Sequence, residues 1–121
     1  MSKILFVEDD LDFLTVMNRR LIEHGHQVMA AFDCFRAVEL AHNEKPDVIV
    51  LDLKLPGGGG LSTLKNLKLS LYTKDIPVII STAMKDDEQK KLVLQEKPDG
   101  YLEKPYDSDA LIRMIEKVML R

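Results

Sequence analysis

The run Val48, Ile49, Val50 and Leu51 constrains the fold more than any other stretch of the chain. A strand with one wet face alternates apolar and polar residues, whereas a short run apolar on both faces suits a strand covered on both sides, as in a parallel sheet flanked by helices. The run sits in PDVIVLDLKLPGGGG, residues 46–60, and ends in a carboxylate, Asp52. The carboxyl ends of strands in open α/β sheets are where ligands bind, so Asp52 is a candidate site residue as well as an ordinary turn starter.

The same grammar occurs at the start of the chain, where the apolar residues 4–7 are followed by Glu8, Asp9 and Asp10. Leu11, Leu14, Met17 and Leu21 then recur at helical spacing, and Gly25 stops that helix as a C-cap residue would. Residues 27–32 read as a second strand. Asp33 is positioned to cap a helix that carries Phe35, Ala37, Val38 and Ala41 inward, and Pro46 ends it. After the glycines, Leu61, Leu64 and Leu67 space as a third helix. Residues 76–80 form a fourth strand entered through Pro77, and it leads into Ser81, Thr82 and Ala83. Residues 86–96 are highly charged around Leu92, Val93 and Leu94, which predicts a lightly buried helix closed by Pro98. A brief fifth strand at 100–102 runs into Glu103, Lys104 and Pro105. The last helix, about 108–120 with Asp107 as its cap, aligns Leu111, Met114, Ile115 and Val118.

Five strands alternating with five helices predict an α/β fold, a doubly wound three-layer (βα)5 sandwich around a parallel five-stranded sheet. A length of 121 residues is one domain, large enough to bury about two-thirds of the unfolded chain's surface. No linker, repeat or low-complexity segment divides it, so residues 1–121 are expected to form a single domain without an output domain. Charged residues at 31% and apolar residues at 45% exclude a disordered chain. The net charge of −3 with scattered cations argues against direct nucleic-acid binding. A lone cysteine, Cys34, cannot form an internal disulfide, and the N-terminal apolar run is too short for a signal peptide or membrane span. A cytoplasmic protein without membrane insertion is expected.

A parallel sheet brings all five strand ends to one edge. Glu8, Asp9, Asp10, Asp52, Thr82 and Lys104 should therefore lie near one another. With VEDD at 7–10, DLKLPG at 52–57, STA at 81–83, and Tyr101 three residues before Lys104-Pro105, the whole chain resembles the receiver domains of bacterial two-component response regulators, of the chemotaxis-regulator-like type. The resemblance implies a flavodoxin-like sheet of order 2-1-3-4-5. It also implies that Asp52 accepts a phosphoryl group, by nucleophilic attack of its carboxylate, from a phosphohistidine on a sensor histidine kinase or histidine phosphotransfer protein.

Both reactants are anions, so the resemblance further implies Mg²⁺, or Mn²⁺, held by Asp9, Asp52 and the Lys54 backbone carbonyl, with Glu8 acting through a metal-bound water. Lys104 would face the phosphoryl oxygens, and the Thr82 hydroxyl and Ala83 amide would donate to them. Thr82 and Tyr101 would then form a switch that alters the surface around the fourth helix and fifth strand for a downstream protein target whose identity the sequence does not give. Such a protein is a regulator with self-phosphotransfer and autodephosphorylation only, not an enzyme acting on a separate substrate.

Two alternatives share some of these features. An aspartate-nucleophile, Mg-dependent phosphohydrolase generally carries a second acid two residues after the nucleophile, but position 54 is lysine, and no cap domain is expected among these 121 residues. A phosphate-independent interaction domain would be favoured only if key site residues were missing. The chain departs from the family's usual pattern in its four glycines, 57–60, which predict a mobile loop beside Asp52. Lys54 and Met84 are expected to flank the phosphoryl group and to tune its lifetime. His24, His26 and His42 lack ligand spacing, and Met17, Met29, Met114 and Met119 read as core or interface fill.

Overall fold

A computed structural model describes residues 2–55, 59–83 and 85–120 of the chain. Strands and helices alternate throughout: β1 (Lys3–Val7), α1 (Leu11–Glu23), β2 (Gln27–Ala31), α2 (Cys34–Glu44), β3 (Val48–Leu51), α3 (Gly60–Leu69), β4 (Val78–Thr82), α4 (Asp87–Gln95), β5 (Gly100–Glu103) and α5 (Ser108–Met119). All strand pairs are parallel and the sheet order is β2-β1-β3-β4-β5, so the fold class and strand order expected from the sequence are those observed.

The all-apolar run of β3 is fully buried, and its alternation divides the core in two. Ile49 and Leu51 join Leu5, Val7, Val78 and Ile80 against α2, α3 and α4. Val48 and Val50 join Ile4, Phe6 and Ile79 against α1 and α5. Each such side chain contributes about 1.5–3 kcal/mol by leaving water, which is why a strand with no polar face belongs at the centre of the sheet. Four helices begin at an aspartate whose side chain accepts from the first turn: Asp10, Asp33, Asp86 and Asp107. Gly25, at φ +86°, follows α1 in the left-handed conformation that ends helices.

Two inward assignments require correction. Phe35 is 77% exposed because the buried face of α2 runs through Cys34, Ala37 and Ala41, and position 35 lies one residue off that stripe. Leu11 is 60% exposed because it opens α1 immediately after its cap, ahead of the buried stripe of Leu14, Met17 and Leu21. The fourth strand also lies two residues later than expected. Pairing starts at Val78, after Pro77, and continues through Ser81 and Thr82, which lie opposite Leu102 and Glu103. In α4 only Val93 is buried, with Leu92 and Leu94 about half exposed, as the charged pattern predicts.

The glycine-loop expectation falls partly on Gly57 and Gly58, which lie outside the described residues, but the two later glycines are informative. Gly59 caps α3 at φ +85°, a region that L residues rarely enter. Gly60 packs its Cα onto the backbone just after Asp52: a Cβ there would sit 2.4 Å from Leu53 Cα and 2.6 Å from the Asp52 carbonyl oxygen. Its amide donates to the Leu53 carbonyl at 2.9 Å. Because both obstacles are backbone, Gly60→Ala is expected to destabilise the protein by about 1–3 kcal/mol in urea denaturation. A variant as stable as the wild type would contradict this close approach.

Candidate functional site

Strand register builds the site. Val7 and Leu51 are direct neighbours on β1 and β3, so Glu8 and Asp52 leave the sheet side by side. The Asp52 amide donates to the Val7 carbonyl at 3.1 Å, and the Glu8 amide to the Ala31 carbonyl at 3.0 Å. On β4 and β5, Thr82 pairs with Glu103, and the Lys104 amide donates to the Thr82 carbonyl at 2.8 Å. The Lys104 side chain then reaches across the sheet end to the carboxylates. Its ammonium donates to Glu8 Oε1 at 2.6 Å and to Asp52 Oδ2 at 3.4 Å.

Glu8, Asp9 and Asp52 present carboxylate oxygens within 4.8 Å of one another; Glu8 and Asp52 are buried and Asp9 is exposed. Three hard oxygen donors in one cleft, two of them withdrawn from water, suit a hard divalent cation. Asp10 is not part of this group. Its side chain turns away to accept from the amides of Asp12 and Phe13, so it serves as the α1 cap. The other expected residues take distinct positions. The Lys54 amide donates to Asp52 Oδ1 at 3.0 Å, while its side chain is exposed. Thr82 is fully buried at the end of β4, and Ala83 is exposed just beyond it. Met84 lies outside the described residues.

Neighbouring positions on a strand face opposite sides, so Ser81 and Thr82 belong to different layers. Thr82 shares the face of Ile80, which is opposite Tyr101 in the register. The Tyr101 ring is half-buried, with the Lys90 ammonium 5.1 Å from its centroid and Lys90 also bonded to Glu103 at 3.2 Å. Ser81 faces the α1 and α5 layer, where its Oγ shares a 2.6 Å hydrogen bond with the Tyr106 hydroxyl. Sequence reasoning missed Ser81, Tyr106 and Phe13. The signals that could have found the first two were a hydroxyl where an all-apolar strand needs none, and an aromatic two residues after Lys104.

The electrostatics follow from crowding and burial. Burial pushes the Glu8 carboxyl up to about 7; the Lys104 bond and the Asp10 amide pull it down, and the charge of Asp52 adds to the rise. Burial works against the Lys104 charge, but Glu8 and Asp52 outweigh it and hold the ammonium above its ordinary value. His24, His26 and His42 take no part in the acidic group.

A family profile described as the response regulator receiver domain matches residues 4–116. The chain belongs to that family. It is 36% identical over 119 residues to the phosphate regulon transcriptional regulatory protein PhoB of Escherichia coli, covering 98% of this chain and 52% of PhoB, so it spans about half the length of that relative. It is 34% identical to the protein PilH of Pseudomonas aeruginosa, covering 98% of both chains. Among solved structures, it resembles the receiver domain of a Pseudomonas aeruginosa sensor histidine kinase that has a magnesium ion coordinated in its active-site cleft. That match has a TM-score of 0.91 and 28% identity over 99% of this chain and 98% of the other. The BeF3-activated receiver domain of Klebsiella pneumoniae RstA matches with a TM-score of 0.89 and 28% identity, over 98% and 99% of the two chains. The chain is thus a phosphoacceptor receiver domain, and receiver domains are regulators rather than classical enzymes.

The raised Glu8 value has a definite sign. In the metal-free protein the folded state keeps this proton to higher pH than the unfolded chain. The contribution to stability is therefore complete below about pH 4.5 and is lost as pH rises through about 7. Urea denaturation of the metal-free wild type should show a loss of stability between about pH 5 and 7.5 that Glu8→Gln lacks. Parallel pH profiles for the two proteins would contradict the assignment.

Proposed function

We propose that Asp52 is the phosphoryl acceptor and that Lys104, Thr82 and the Ala83 amide serve the transferred group. The observation that supports this most is the joint position of Asp52: its carboxylate lies within reach of two further acids and of a cation that is itself mostly withdrawn from water. Asp9, Asp52 and the Lys54 carbonyl would hold Mg²⁺, or Mn²⁺ in its place, with Glu8 acting through a water. The ion would supply positive charge that lets a carboxylate meet a phosphoryl group.

The chain's own residues do the rest. The Lys54 amide, donating to Asp52 Oδ1, fixes the orientation of the carboxylate and leaves Oδ2 on the side of Lys104 as the nucleophilic oxygen. Attack on the phosphorus of a phosphohistidine forms the O–P bond as the N–P bond breaks, and the electron pair leaves on the imidazole. Lys104 can transfer its hydrogen bond from Asp52 to a phosphoryl oxygen, where charge accumulates. Thr82 moving toward the new group would free space for Tyr101 on the same face, changing the α4–β5 surface that a downstream protein reads.

The phosphodonor would be a sensor histidine kinase or a histidine phosphotransfer protein, and water attack on the aspartyl phosphate would end the signal. A cytoplasmic setting accords with the free, buried Cys34 thiol, and no described helix is long and apolar enough to cross a membrane. Incubation with a small phosphodonor and Mg²⁺, followed by intact mass, tests the reading. The wild type should gain one phosphoryl group and Asp52→Asn none; no gain, or an equal gain in the variant, would contradict it.

A further inference from the structure

The Lys104 ammonium has neighbours of two kinds. The carboxylates of Glu8 and Asp52 lie 2.6 and 3.4 Å away, and the Phe13 ring centroid lies 4.2 Å away. The lysine side chain is only 16% exposed, so water competes little for the charge. Phe13 is itself held on two sides. Its ring meets Phe6 edge-on with centroids 6.3 Å apart and planes at 77°, and meets Tyr106 at 5.5 Å and 86°. Tyr106 is fixed in turn by its 2.6 Å hydrogen bond to Ser81, a fully buried residue next to Thr82. One cluster thus joins β1, α1, the end of β4 and the loop after β5 beneath the lysine.

We propose that Phe13 is a positioning residue for phosphoryl transfer: its ring, packed between Phe6 and Tyr106, holds the Lys104 ammonium at the acidic cleft. The proposal rests on Lys104 facing the incoming phosphoryl group. A lysine side chain has four rotatable bonds, and one drawn only to carboxylates would have to be brought back from many rotamers each time Asp52 was modified. An aromatic face attracts the cation without supplying a carboxylate's lone pairs, so it holds the charge in place while N–H donors serve the oxygens of Glu8 and Asp52, 2.6 and 3.4 Å away. Leucine at position 13 would fill much of the same volume but offer no such face. Tyrosine would keep it, and Phe13 borders an open groove of about 560 Å³.

The test compares the full chain carrying Phe13→Leu or Phe13→Tyr with the wild type. By NMR, without metal or phosphate, the Lys104 side-chain methylene protons should be shifted upfield by the ring in the wild type and in Phe13→Tyr. They should return to ordinary lysine positions in Phe13→Leu. With Mg²⁺ and beryllofluoride, Phe13→Leu should bind the phosphoryl mimic about three- to tenfold more weakly, and Phe13→Tyr nearly as well as the wild type. Binding of Mg²⁺ alone should be the same in all three, which a general loosening of the fold would not allow. Unshifted Lys104 protons in the wild type, or a folded Phe13→Leu that binds the mimic as tightly as the wild type does, would overturn the proposal. Should Phe13→Leu not fold, the wild-type and Phe13→Tyr shifts decide it. A wild type that fails to bind beryllofluoride, or an Asp52→Asn variant that binds it equally, overturns the phosphoacceptor reading first and this proposal with it.

Discussion

Carboxylates of Glu8, Asp9 and Asp52 lie within 4.8 Å of one another and repel when charged; strand pairing fixes the backbones of Glu8 and Asp52, and the Lys104 ammonium lies against both of those side chains. The register Val7 to Leu51 forces Glu8 and Asp52 together whatever their charges. Lys104 arrives from the far side of β4, tethered by its amide to the Thr82 carbonyl. Parallel pairing thus decides both where repulsion accumulates and where it is relieved. Burial raises the Glu8 carboxyl, the Lys104 bond and the Asp10 amide pull it back, and the charge of Asp52 adds to the rise.

The same edge separates two tasks by the pleat of a single strand. Ser81 faces α1 and α5 and is bonded to Tyr106, in the layer that carries Phe13 beneath Lys104. Thr82, one residue on, faces the layer of Tyr101 and α4. A group bound at Asp52 therefore borders a well-packed aromatic side and a lightly buried one. In α4 only Val93 is fully buried, so that helix has less holding it than α5, with Leu111, Ile112, Ile115 and Val118. A rearrangement costs less on the α4 side, and that is the surface through which the proposed switch acts.

Much of this architecture is legible in the sequence because it is written in local patterns. The unbroken apolar run of β3, the aspartate caps and the carboxylates at strand ends are short-range signals, and they give the parallel sheet and the acidic edge directly. What is not legible depends on packing between distant segments. An inward Phe35 is wrong because spacing alone cannot choose between adjacent positions on α2. The glycines that suggest loop freedom include one, Gly60, whose role is close approach to the Asp52 backbone. Phe13 carries no signal beyond helical amphipathicity, since its contact with Lys104 spans most of the chain.

Every role proposed around the cleft depends on which atom takes the phosphoryl group. Borohydride reduces an acyl phosphate on aspartate to homoserine, so treatment of the phosphorylated protein followed by peptide sequencing reads the acceptor directly. Homoserine is expected at position 52 and at no other position. Homoserine in place of another aspartate, or a phosphorylated protein that borohydride leaves unchanged, would contradict the assignment of Asp52 and the division of labour built on it.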